Sequence, residues 1–205
     1  MTTYRTLAAV VAAGLVLFAL PASSAPEQTP GPVELVAEEQ ILEVRDAVID
    51  ALWLKTDEYW HAGNTKPVVD ICRMVAELDP QFVEAYSVAA WVAIQNGDDD
   101  QALQFYKQGI ERNPDSYELL HELGMQYYML HKRDPQGALP YLKRVAELPA
   151  PVPMKRTYAH ALNRAGKPQE AAAQWMRILK EHPNDPIAIK ELKKLRAEGK
   201  VGEER

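Results

Sequence analysis

Three helix-ending phrases recur along the chain: AELDP closes on Pro80, IERNP on Pro114 and KEHP on Pro183. The first two prolines stand 34 residues apart. A fixed period of that size constrains the fold more than any single motif. Each period must be one small unit that buries its apolar face only against its neighbours. From Val33 onward the stretches between breakers carry helical rather than alternating periodicity, and no strand signal stands out. The expectation is an all-α array.

With the proline set at position 32 of a unit, Val83–Ser116 has Tyr86 at 4, Ala90 at 8, Gly97 at 15, Ala102 at 20, Tyr106 at 24 and Gly109 at 27. Small residues at 8 and 20 let two antiparallel helices approach, and the large ones fill the adjoining holes. Gly97 supplies the turn, and Asp98, Asp99 and Asp100 put negative charge at the second helix's N-terminus. This pattern resembles the tetratricopeptide repeat (TPR) family. The unit before it, 49–82, keeps Tyr59 at position 11, where it is expected to turn into the core, with Gly63 and Pro80 in register. That unit departs at Lys55 and Val68, where a leucine and a small residue are usual. The unit 117–151 has Leu120, Leu123, Gly124 and Tyr127, then a longer turn from His131 to Gly137 before Ala138. The unit 152–185 has Tyr158, Ala159, Leu162, Gly166, Ala171, Trp175 and Ile178. The resemblance implies a right-handed α-solenoid of about four helix-turn-helix units. Residues 33–48 form an N-terminal helical extension, 186–198 a basic capping helix and 199–205 a tail.

The first 25 residues differ in character. Arg5 is their only charge, Leu7 to Leu20 is apolar or small throughout, and Pro21-Ala-Ser-Ser-Ala25 follows. This is the layout of a secretory signal peptide cleaved after Ala25. The alternative is an inner-membrane anchor formed by residues 7–20, although that run is short for a span. The expected location is therefore exported, periplasmic or secreted, of exported bacterial type, with 26–32 as a proline-rich spacer. Losing Arg5 moves the net charge from −6 to −7, which argues against nucleic acid as a partner. Membrane contact is expected only if the N-terminal segment stays attached. A single cysteine, Cys72 in an apolar run, excludes an intramolecular disulfide.

No Gly-rich phosphate loop, G-x-S-x-G or H-E-x-x-H occurs, so no enzymatic role and no cofactor are expected. In the resembled family the concave face is lined by the first helix of each unit and holds a peptide or a partner helix. Carried over, the face comprises Trp53, Asp57, Trp60 and His61 from the first unit, and Trp91 and Ile94 from the second. His121, Met125 and Tyr128 come from the third, and Arg156, His160 and Arg164 from the fourth. The complementary ligand is an amphipathic peptide with an apolar middle and a basic end, because the first three units are acidic and aromatic and such grooves repack on apolar segments. The function so implied is a TPR scaffold or adaptor, a protein–protein interaction module of the bacterial cell envelope. One alternative is a self-assembling scaffold in which the basic last helix meets an acidic first face of another copy. Another is a metal-binding envelope protein using Asp57, His61, His121 and His160. Glu58-x-x-His61 has the spacing of a di-iron helix, but no second Glu-x-x-His accompanies it.

Overall fold

The computed structural model describes residues 32–130 and 133–202. The expected signal peptide lies outside the described residues. The chain divides into two compact units, Met1–Gln40 and Ile41–Arg205. In the first, residues 32–40 are the opening turns of a helix.

The described residues form helices and no strand: α1 (Pro32–His61), α2 (Thr65–Leu78), α3 (Val83–Gln95), α4 (Asp99–Arg112), α5 (Tyr117–Met125), α6 (Pro135–Glu147), α7 (Val152–Arg164), α8 (Pro168–Glu181) and α9 (Pro186–Ala197). From α2 on, each helix packs on the next, the arrangement of an α-solenoid. The helix starts are written locally. Asp98, Ser116, Asp134 and Asp185 each accept a hydrogen bond from the backbone N–H three residues on, satisfying a donor that the first turn leaves orphaned. At the α3–α4 turn Gly97 sits at φ +79°, a left-handed backbone that favours glycine.

Small residues set the approach of the paired helices. Ala90, Ala102, Ala138, Ala159 and Ala171 are all buried. At Gly124 a side chain would begin 2.6 Å from the Leu142 side chain, so Leu142 of α6 packs directly on the α5 backbone there. One core cluster runs from Ile49 of α1 through Val68, Val75, Ala89 and Phe105 to Leu123, with Leu52 and Trp53 packed against it. Another joins Leu162, Trp175, Ile178, Leu192 and Leu195 across α7, α8 and α9. Cys72 is buried in the first core, and burial pushes its thiol up to about 12, which leaves it unreactive.

One sequence expectation needs correction. Tyr59 does not enter the core: it is 38% exposed and lines an open cleft with Leu52, Lys55 and Met74. As part of the first helix of the array, it has no earlier unit among the described residues to close over it. The third unit also departs before its long turn begins. α5 passes into a π-helical turn, Gln126–Leu130, which widens the helix by one residue before the chain reverses. The Asp134 N–H donates to the Tyr127 carbonyl at 2.8 Å and closes that reversal.

Candidate functional site

The geometry of a binding face follows from the helix order. In each pair both helices bury one side in the core, which leaves the outer side of the first helix for other work. Trp60 of α1 and Trp91 of α3 meet across this side, ring centroids 4.5 Å apart and planes tilted by 53°. Both remain open, at 37% and 44% exposure. Exposed tryptophans held against one another mark a surface suited to contact rather than to solvent. They wall a cleft of about 420 Å³ whose other sides are Trp53, Leu54, Thr56, Asp57, Val68 and Val88. Trp53 is the anchored member, since its ring packs edge-on against Phe82 at 5.0 Å. At the rim the Asp57 carboxylate lies 3.3 Å from His61 Nδ1, with both side chains exposed.

A second cleft of about 360 Å³ continues the first, because Val88 and Trp91 belong to both. Its remaining walls are Ser87, Tyr106 and Glu122. Glu122 is half-buried, and burial raises its pKa above the ordinary carboxylate value. Hydrogen bonds donated by the Ser87 and Tyr106 hydroxyls work in the opposite direction, while Glu118 nearby adds to the rise. Tyr106 in turn receives a hydrogen bond from Gln126, the buried first residue of the π-helical turn.

Further along, the expected residues are largely held by the protein itself. His121 Nε2 lies 3.1 Å from Thr157 Oγ1 of α7, and burial lowers the imidazole pKa. The Arg164 guanidinium sits 5.1 Å above the Tyr128 ring and touches Met129 Sδ at 3.6 Å. Arg156 forms an ion pair with the buried Asp185 carboxylate, and the His160 ring meets Trp175 edge-on at 4.8 Å. Ile94 and Met125 are half-buried, with Ile94 packed on the first core.

Thus Trp53, Asp57, Trp60 and Trp91 share one cleft with His61 at its edge, whereas Arg156 and His160 serve the packing of the last unit. The four residues considered for a metal do not converge, and among the described residues no group of three His, Cys, Asp or Glu side chains could hold an ion. Sequence reasoning missed Leu54, Val88 and Glu122. They lie 34 residues apart in turn, so one repeat position forms a column along these clefts. The period contained that signal, but the family's usual face positions do not include it.

The comparisons fit this geometry. Residues 84–116 match the family model described as Tetratricopeptide repeat. No curated protein is significantly similar to the chain in sequence. Among solved structures, YrrB, described as a TPR protein with an unusual peptide-binding site, superposes with a TM-score of 0.54 at 20% identity, covering 71% of this chain and 74% of its own. PilF of Pseudomonas aeruginosa gives 0.55 at 20% identity over 76% of this chain and 71% of its own. PilW, described as a widely conserved type IV pilus biogenesis factor, gives 0.52 at 20% identity over 73% and 69%. The chain therefore carries a tetratricopeptide repeat at residues 84–116 and shares the fold of these tetratricopeptide-repeat structures.

Proposed function

We propose that the protein is a non-enzymatic adaptor whose first-helix face holds a peptide or helix of a partner protein, in the bacterial cell envelope. The observation that carries the reading is the Trp60–Trp91 cleft, an exposed aromatic site of the kind that anchors a partner's apolar side chains. The envelope setting rests on the signal-like N-terminus and on the likeness in fold to a pilus biogenesis factor. Among the described residues no helix is long and apolar enough to cross a membrane. The test is capture of partners from the producing organism by wild type and by the Trp60→Ala, Trp91→Ala double variant. Partners should be lost from the variant while its circular dichroism stays unchanged; an unchanged set of captured proteins rejects the face.

Self-assembly is a second reading with its own observation. On α1, Ile41 and Val44 are 68% and 65% exposed beside Glu43, Asp46 and Asp50. On α9, Ile187 and Ile189 are exposed beside Lys190, Lys193 and Lys194. If these ends meet between copies, light scattering shows a mass that grows with concentration and falls with added salt.

A further inference from the structure

The two joined clefts differ in chemistry, and the difference specifies what a partner must present. The cleft between α1 and α3 is apolar along the column Leu54–Val88 and walled by Trp60 and Trp91. One repeat further on, the same column position holds Glu122. Glu122 lines the second cleft together with Trp91. Its hydrogen-bond donors, Ser87 and Tyr106, are neutral hydroxyls. Among the described residues no lysine or arginine forms a salt bridge with it. A half-buried carboxylate that no described lysine or arginine neutralises is one that a cation supplied from outside favours. Trp91 in the same cleft supplies an aromatic ring, which attracts cations.

Two further features build the site. The Tyr106 hydroxyl stands beside Glu122, and the buried Gln126 stands beside Tyr106. Gln126 also opens the π-helical turn, and such turns inside helices are frequently found at functional sites. The charge on the three first helices is mainly acidic: Asp57, Glu84 and Glu118 stand there, while Arg45 and Lys55 of α1 are paired with Asp46 and Glu58. By contrast, the two arginines on the face of the last unit are engaged with Asp185, Tyr128 and Met129.

We propose that Glu122, with Trp91, is a recognition site for a lysine or arginine side chain of the bound segment. The apolar cleft between α1 and α3 takes a neighbouring aliphatic or aromatic residue of the same segment. The proposal rests on the binding face described above and deepens it: the partner is a basic, amphipathic protein segment, read in register along one column of the repeat.

The test pans a displayed library of random peptides on wild type, on Glu122→Gln and on the Trp60→Ala, Trp91→Ala double variant. Wild type should enrich peptides that pair a lysine or arginine with an apolar residue at fixed spacing. Replacing that basic residue by a neutral one in a selected peptide should weaken binding to wild type about tenfold and binding to Glu122→Gln hardly at all. Glu122→Gln should melt no lower than wild type, because it removes a desolvated charge. Peptides without a basic preference, or a preference that survives in Glu122→Gln, overturn the carboxylate site and leave the aromatic cleft standing. No enrichment over the double-tryptophan variant overturns the face itself.

Discussion

At the scale of single residues the fold rests on positions where one atom too many, or one partner too few, is felt. Gly124 is such a place, because the Leu142 side chain occupies the space a β-carbon would need. Gly124→Val should cost about 2 kcal/mol by overpacking, read as a lowered denaturant midpoint with an unchanged slope. Asp185 is another. It caps α9 through the Ala188 N–H and receives Arg156 from α7. Burial works to raise its pKa, but the hydrogen bonds and charge from Arg156 and the α9 N–H groups outweigh this and hold it below the ordinary value of 3.8. A carboxylate with a depressed folded pKa contributes stability above its unfolded pKa and loses it as pH falls through the folded one. Asp185→Ala should therefore lower stability by about 2 kcal/mol at neutral pH. The gap should hold down to pH of about 4 and close below it, which urea titrations across pH would show. The small residues, the turn glycine and the acidic start of α4 at Asp98 were legible because each has a local reason to be where it is. Tyr59 was not, since its burial depended on a neighbouring unit rather than on its own helix.

At the scale of elements, the two buried clusters predict uneven stability. Leu195 of α9 closes the cluster of α7 and α8 and makes no part of the first core. Leu195→Ala should cost about 3 kcal/mol. Because repeat units couple to neighbours, hydrogen exchange should quicken in α7 to α9 and change little in α3 and α4. A uniform loss of protection would instead mark the array as one cooperative block. The helices themselves were readable from period and punctuation. The π-helical turn was hidden, because no residue type demands one; it follows from how the third unit fits the longer connection into α6. Its consequence, Gln126 bonded to Tyr106, was hidden for the same reason.

At the scale of the whole molecule, the repeat period names a fold and a face but not a ligand. The sequence made the tryptophans conspicuous, and the structure brings two of them into contact and joins their cleft to a carboxylate. It also assigns the arginine and histidine of α7 at positions 156 and 160 to internal packing, which the charge pattern alone could not separate from binding. The central claim is that partners sit on the face of the first helices. The most direct measurement places a photo-crosslinking amino acid at Val88 on that face, or at Gln104 on the exposed side of α4, in the organism that produces the protein. Adducts of a discrete partner should form from position 88 and not from position 104. Adducts from 104 alone, or equally from both, would contradict it.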